Sequence, residues 1–185
     1  MAVSSALVPL GTAAPDFVLP DLSGRPVGLS DVAGGQVLVV AFLCNHCPYV
    51  QHIEHQVGEV AGLVEAAGGA FVGICSNDVV GYPDDDVPGL AEQATRAGWS
   101  FPYLVDSDQD VARAFGAVCT PDFFVYGADR TLRYRGAFDA ATPGNDEPVD
   151  GSLLRSAVAL VLAGEDVPEP HQPSLGCGIK WRPSP

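Results

Sequence analysis

The feature that most constrains the fold is an almost uninterrupted apolar run that ends at two cysteines. The run covers residues 36–43 and is rich in β-branched side chains, which is typical of a strand buried on both faces. Cys44 and Cys47 follow it, and Pro48 then stands where proline is favoured, at the start of a helix. The sequence therefore predicts a strand, a short turn carrying both sulfurs, and a helix over about 48–67.

This arrangement places the two cysteines at the N-terminus of a helix, where unpaired backbone N–H groups and the helix dipole favour a thiolate. A zinc knuckle would need a second pair of ligands at similar spacing, whereas Cys75, Cys119 and Cys177 are isolated in the sequence. A structural disulfide between residues this close would close almost no loop and add little stability. The pattern therefore favours a redox site, and it predicts no cofactor and no bound metal.

The rest of the chain alternates strand and helix patterns around one sheet. We expect an α/β sandwich with a mixed central β-sheet flanked by helices, preceded by a β-hairpin over residues 14–30. The strand over 70–75 should lie parallel to the strand before Cys44 in a right-handed β-α-β unit. One domain is predicted over residues 1–167, and an extended C-terminal tail without independent structure over 168–185, carrying Cys177. The other predicted elements are helices over 88–97, 110–115 and 151–163 and a hairpin of 122–126 with 132–135.

Two polar segments invite a metal-binding interpretation. The loop over residues 77–88 contains three consecutive aspartates, 84–86, but ligands on adjacent residues cannot all point at one ion. We expect a solvent-exposed loop that precedes a helix. His52 and His55, with Glu54 beside them, lack the usual zinc spacing and are also predicted to face the solvent.

The charge balance excludes several classes of partner. The formal net charge is −14, with only nine lysines and arginines among 185 residues, so we expect no nucleic-acid partner and no membrane-surface partner. Residues 1–12 lack the basic segment and apolar core of a secretory signal, and no apolar run approaches the roughly 18 residues that span a bilayer. Five cysteines, an odd number, suit a reducing compartment, so a cytoplasmic location is predicted.

Several motifs occur in order along the chain: Ala14-Pro15-Asp16-Phe17, Cys44-Asn45-His46-Cys47-Pro48-Tyr49-Val50, Ser76-Asn77-Asp78, Phe101-Pro102-Tyr103-Leu104, Cys119-Thr120-Pro121-Asp122 and Gly176-Cys177-Gly178. Together they resemble the thioredoxin-like superfamily, and within it the redoxin (AhpC/TSA) group and its peroxiredoxin-like members. The resemblance covers nearly the whole chain. It implies a thioredoxin-like fold and a thiol-based oxidoreductase.

The resemblance also assigns a role to Thr120 and Pro121. In thioredoxin-like folds a cis-proline faces the two cysteines, and Pro121 matches that position. The cis bond exposes the backbone of the preceding residue, which can then pair with a substrate chain as an added strand. Thr120 is therefore expected to face the substrate.

The two branches of this superfamily differ in the sulfur that attacks. In thioredoxins the first cysteine of the motif is the nucleophile, which corresponds to Cys44. In peroxiredoxins the peroxidatic cysteine occupies the second position and is often followed by proline, as Cys47 is here. The peroxiredoxin signature, however, has threonine and proline where this chain has Cys44 and Val40. Loss of that hydroxyl weakens hydrogen bonding to a peroxide, so the chain matches thioredoxins at its chemistry.

The leading hypothesis is a thiol-disulfide oxidoreductase. Cys44 attacks a partner disulfide, and Cys47 displaces the reduced partner, leaving a Cys44–Cys47 disulfide. His46 precedes the second cysteine, and a cationic ring or one that donates to a sulfur would stabilise the thiolate and raise the reduction potential. The expected partner is a disulfide-containing protein or a low-molecular-weight thiol or peroxide.

Two other hypotheses remain open at this point. One is a peroxiredoxin-like thiol peroxidase with Cys47 as the peroxidatic residue, and the other is a protein that binds metal through its thiolates. Cys119 and Cys177 are each either a resolving or relay thiol, a metal ligand or an inert packed side chain. The sequence does not indicate the oligomeric state.

Overall fold

The computed structural model describes residues 2–183, and its central sheet is built around the apolar run before the cysteines. That run forms strand β4 (Val37–Phe42). Strands β5 (Ala70–Cys75) and β6 (Tyr103–Val105) extend the sheet on one side and run parallel to it. Strands β8 (Asp122–Gly127) and β9 (Leu132–Gly136) extend it on the other side: β8 is antiparallel to β4, and β9 is antiparallel to β8. The spatial order is β6-β5-β4-β8-β9, a mixed sheet as predicted.

Helices cover both faces of this sheet, which explains why β4 has no polar residue. The helices α2 (Pro48–Ala66), α3 (Val87–Ala97) and α5 (Ser152–Leu162) pack on one face. The short helices α1 (Leu29–Val32) and α4 (Asp110–Phe115) pack on the other. Val37, Val39 and Ala41 enter the first core layer, and the alternate residues of β4 enter the second. An interior strand buried on both faces has no position for a charge.

The remaining predicted elements also form. The N-terminal hairpin consists of β2 (Val18–Pro20) and β3 (Pro26–Gly28), and it is antiparallel. Helix α2 begins at Pro48, one residue after its N-cap Cys47. The chain turns beyond α2 at Gly68, whose φ of 78° is one that glycine adopts at little cost. Within residues 2–183, no helix is both long enough and apolar enough to cross a membrane.

The C-terminal tail contains structure that the sequence does not predict. Its residues Leu175–Gly178 form strand β10, which lies between β1 (Ala2–Ser4) and β7 (Cys119–Thr120) in a three-stranded antiparallel sheet. In this sheet Cys177 pairs with Ala2 on one side and with Thr120 on the other. The segment Leu-Gly-Cys-Gly has no alternation of apolar and polar residues, so only its two neighbouring strands identify it as a strand. The tail is therefore held against the segment that precedes Pro121.

Candidate functional site

The fold brings the two predicted redox cysteines to the carboxyl end of β4. Cys44 lies two residues beyond that strand, and Cys47 is the N-cap residue of α2. Both side chains are fully buried. The peptide bond between Thr120 and Pro121 is cis, the form predicted from the sequence, and Thr120 contacts both sulfurs. The Cys44 Sγ atom is 3.1 Å from Thr120 Oγ1, and the Cys47 Sγ atom is 3.2 Å from the Thr120 carbonyl oxygen.

The surroundings of Cys47 favour its thiolate. The largest effect is a hydrogen bond with the Cys44 side chain, followed by a second from the Cys177 side chain and others from the backbone N–H groups of Val50 and Cys177. Burial opposes ionisation, but these donors outweigh it and lower the pKa of Cys47 to about 5. The carbonyl of Thr120 can accept only from the protonated thiol, so that contact favours the neutral form. With its pKa at about 5, Cys47 is a thiolate at neutral pH.

Cys44 has the opposite environment. Burial raises its pKa most, its hydrogen bond to Cys47 holds the proton in place, and the negative charge of Asp85 raises the pKa further. Cys44 is therefore the thiol and Cys47 the thiolate of a hydrogen-bonded pair. The resemblance to thioredoxins predicts that Cys44 attacks, whereas this electrostatic arrangement favours Cys47.

Asp85 corrects the prediction of a solvent-exposed aspartate loop. It closes the short 3-10 helix Pro83–Asp85 and is buried, while Asp84 beside it is exposed. Its Oδ1 atom accepts from the backbone N–H groups of Asn45 and His46, at 2.8 and 3.1 Å. Burial raises the pKa of Asp85, but hydrogen bonds from His46 and Asn77 outweigh that effect and keep it below its usual value. This carboxylate thus ties the loop to the turn between the cysteines.

The His46 ring faces Asp85 and does not donate to a sulfur, which was one of its two predicted roles. Its Nδ1 atom is 2.6 Å from Asp85 Oδ2, and the ring stacks on Tyr82 with centroids 4.9 Å apart. The ring contacts Asp85, the carboxylate whose negative charge raises the pKa of Cys44. Side-chain donor atoms of Cys44, His46 and Asp85 lie within 4.8 Å of one another, a mixed set of one sulfur, one imidazole and one carboxylate. The metal hypothesis predicted a set of several sulfurs instead.

A salt bridge between buried Glu54 and exposed Arg96 also holds the turn, from the side of α3. Glu54 is buried, contrary to the prediction for its helix face, and accepts from Arg96 at 2.8 and 3.0 Å. Arg96 also donates to Asn45 Oδ1 at 3.0 Å. Gln93 donates to the carbonyl oxygen of Cys44 at 3.0 Å, a contact that no sequence motif predicted. His52 and His55 are exposed, as predicted.

The other three cysteines occupy different environments. Cys75 and Cys119 are buried, and burial raises the pKa of each. The Cys119 Sγ atom contacts the carbonyl oxygen of Pro121 at 3.8 Å. Cys177 is half-buried and packs against the core layer that contains Cys47, and burial together with the neighbouring Cys47 sulfur raises its pKa to about 11. Of the two candidate relay thiols, Cys177 is therefore the one in contact with the thiolate.

A shallow cleft opens beside the cis-proline. Tyr49, Ile53 and Pro121 line it from the side of the redox pair, and residues 137–142 and 172–175 complete it. The lining mixes apolar side chains with polar ones, among them Asp139, Thr142 and Gln172.

Comparison with known proteins places this geometry in a family. The sequence profile of the AhpC/TSA family matches residues 10–135, which covers β2 through β9 and includes both cysteines of the turn. The chain belongs to the AhpC/TSA family. The fold is thioredoxin-like, and a solved thiol:disulfide interchange protein of the thioredoxin family from Chlorobium tepidum shares it, with a TM-score of 0.63 at 20% identity over 85% of this chain and 99% of that one.

Two curated relatives carry different names within this family. The thiol-disulfide oxidoreductase ResA of Geobacillus thermodenitrificans is 30% identical over 118 residues, which is 64% of this chain and 63% of ResA. A candidate peroxiredoxin of Mycobacterium tuberculosis is 32% identical over 117 residues, which is 63% of this chain and 69% of that protein. An uncharacterised conserved protein from Geobacillus kaustophilus is similar over the whole chain, with a TM-score of 0.97, 42% identity and coverage of 100% and 98%.

Proposed function

We propose that the protein is a thiol-disulfide oxidoreductase whose redox pair is Cys44 and Cys47. The observation that carries the proposal is the pair of sulfurs at the N-terminus of α2, both in contact with Thr120 before the cis-proline, with the pKa of Cys47 lowered to about 5 by its neighbours. A low-pKa thiolate with a second thiol in contact is the arrangement that dithiol–disulfide exchange requires. The name of the relative ResA is consistent with this activity.

The geometry favours an exchange in which Cys47 attacks first. Its thiolate attacks one sulfur of a partner disulfide, the partner's S–S bond breaks, and the other sulfur leaves as a thiolate. Cys44 then attacks the Cys47 sulfur of the mixed disulfide, and the second partner thiolate leaves. The proton that Cys44 loses passes to a leaving thiolate. The partner is reduced by two electrons, and the enzyme is left with a Cys44–Cys47 disulfide.

The substrate proposed is a disulfide in a protein segment or in a small molecule. The cleft beside Pro121 offers apolar and polar side chains, and it is lined by Tyr49 from the first turn of α2, two residues after Cys47. The acidic surface of this chain favours partners that are neutral or basic.

Peptide mapping and a reductase assay test this function. After treatment with diamide, the wild-type protein should contain a Cys44–Cys47 disulfide, and it should accelerate reduction of insulin by dithiothreitol. Cys47→Ser should abolish both results. Cys75→Ala, a buried cysteine outside the pair, should retain both. A wild-type protein whose Cys47 stays reduced under diamide would refute the proposal.

A thiol peroxidase is the second candidate, and the burial of Cys47 favours it. A fully buried sulfur is easier for a small hydroperoxide to reach than for a disulfide in a folded protein. The thiolate would attack the peroxide O–O bond, forming a sulfenate and releasing an alcohol or water, and the Cys44 thiol would condense with it and release water. Rapid peroxide consumption with sulfenate trapped on Cys47 in Cys44→Ala would support this activity, whereas exchange without peroxide consumption would exclude it.

A further inference from the structure

We propose that Cys177 is the third thiol of the cycle and receives the disulfide from Cys44 by exchange at Cys47. This inference rests on the proposed function, since it requires an oxidised Cys44–Cys47 pair. It assigns a role to strand β10, which lies outside the region matched by the family profile. It also identifies where an external thiol reduces the enzyme.

The position of β10 is the first argument. This strand pairs with β7, the segment directly before Pro121, and Cys177 is the residue that pairs with Thr120. In thioredoxin-like proteins a substrate chain is added as a strand at this edge, as the resemblance implies. Here the chain's own tail fills that edge and presents a cysteine to the pair. Cys177 therefore occupies the position, opposite Thr120, that a residue of an added substrate strand would take.

The close fit of β10 is the second argument. A Cβ atom built at Gly176 would overlap the carbonyl oxygen of Thr120, so the strand can lie this close only because that residue is glycine. A Cβ atom at Gly178, two residues further along, would make only ordinary contacts, the nearest being 3.4 Å from a Val3 methyl carbon. The approach of β10 to Thr120 therefore depends on one glycine, and it sets the distance between Cys177 and Cys47.

Cys47 lies between two other thiols, those of Cys44 and Cys177. Cys177 lies opposite Thr120 in the sheet, and the Thr120 carbonyl oxygen is 3.2 Å from the Cys47 sulfur. Cys177 packs against the same core cluster that holds Cys44 and Cys47, and its thiol helps to lower the pKa of Cys47. When Cys44–Cys47 is oxidised, the Cys177 sulfur can attack Cys47, forming a Cys47–Cys177 bond and breaking the Cys44–Cys47 bond. Cys44 leaves as a thiolate and takes the proton from Cys177. The step is an isomerisation of one disulfide, so it needs no oxidant or reductant.

Moving the disulfide from Cys44–Cys47 to Cys47–Cys177 brings a solvent-accessible sulfur into the bond. Cys44 and Cys47 are fully buried, whereas Cys177 is half-buried at the surface of the tail sheet. A disulfide that includes Cys177 is therefore more accessible to a reductant than one confined to the turn. We infer that the electron donor is a thiol that attacks Cys177, which releases Cys47 as the favoured thiolate leaving group.

Disulfide mapping of four variants tests the inference. In Cys44→Ala, mild oxidation with diamide should yield an intramolecular Cys47–Cys177 disulfide. Adding Gly176→Ala should abolish this crosslink by moving β10 away from Thr120, while Gly178→Ala, the matched change on the same strand, should leave it intact. In Cys177→Ser the Cys44–Cys47 disulfide should still form, and its reduction by glutathione should slow by on the order of tenfold because both remaining sulfurs are buried.

The outcomes separate this inference from the function on which it rests. If Cys44→Ala gives only glutathionylated or intermolecularly bridged Cys47, with Cys177 free to alkylate, the relay is refuted and the oxidoreductase proposal stands. Unchanged reduction kinetics in Cys177→Ser would refute it as well. If Cys47 is not oxidised even in the wild type, both proposals fail. Circular dichroism of the Gly176→Ala variant checks that the loss of a crosslink is not a loss of fold.

Discussion

Replacing Cys44 by alanine removes the hydrogen bond that contributes most to the low pKa of Cys47. A hydrogen bond to a charged group is worth about 1.5–3 kcal/mol, and one pKa unit corresponds to about 1.4 kcal/mol. The pKa of Cys47 should therefore rise by about one to two units from its value of about 5. At about pH 6 the thiolate fraction would fall from about nine tenths to between about one tenth and one half.

Ultraviolet absorbance of the thiolate, followed as the pH is raised, measures this shift. The other four thiols do not interfere below about pH 8, because their pKa values are all raised, that of Cys177 to about 11. The wild type should show one inflection near 5, and Cys44→Ala should move it upward. Cys44→Ser, which keeps a donor, should fall between the two.

Cys75→Ala is the control, since Cys75 is buried but makes no hydrogen bond to Cys47 among residues 2–183. Its inflection should stay near that of the wild type. The assignment of thiol and thiolate would be refuted by a wild-type inflection at the ordinary cysteine value. An unchanged inflection in Cys44→Ala would refute the role given to the Cys44 donor.

Three further predictions follow from the same contacts. The pKa of Cys47 is about 5 in the folded protein and about 8.5 in the unfolded chain, so the native protein binds fewer protons between about pH 5 and about pH 8.5. In that range the free energy of unfolding should rise with pH by at most about 1.4 kcal/mol per unit, and this stabilisation is lost as the pH falls through about 5. Cys47→Ser should remove this pH dependence from urea unfolding curves. Asp85→Asn should destabilise the fold by about 1–3 kcal/mol, because it weakens buried hydrogen bonds, whereas exposed Asp84→Asn should change it little; equal effects would contradict the role of the buried carboxylate. The Cys44–Cys47 disulfide should be more oxidising than about −270 mV, the value of thioredoxin, because the Cys47 thiolate stabilises the reduced form; a lower potential at equilibrium with glutathione would contradict this.

The elements that position the pair are those whose patterns are strongest in the sequence. The apolar run over 36–43 predicts an interior strand, and the proline after Cys47 marks the start of α2. The N-terminal hairpin and the β8–β9 hairpin have clear turns, and both form. The cis bond before Pro121 was expected from the resemblance rather than from the residues themselves.

The features that the sequence missed all depend on contacts between distant parts of the chain. Asp85 belongs to a polar, Pro- and Asp-rich loop typical of solvent-exposed segments, and only its packing against the turn at Asn45 and His46 makes it buried. Glu54 on α2 is likewise buried, and its partner in the salt bridge is Arg96 on α3. Local pattern cannot show these pairings, because a charged residue looks exposed until its partner is in place.

The sequence by itself determined that two cysteines stand at the junction of a buried strand and a helix, because the apolar run and Pro48 act locally. Tertiary structure decided which of them is the thiolate. Asp85 raises the pKa of Cys44, while Cys177 on β10 donates to Cys47, and both residues reach the pair only when separate segments pack together. Electrostatic effects depend on distance in space, so the roles of the two sulfurs are a property of the folded chain.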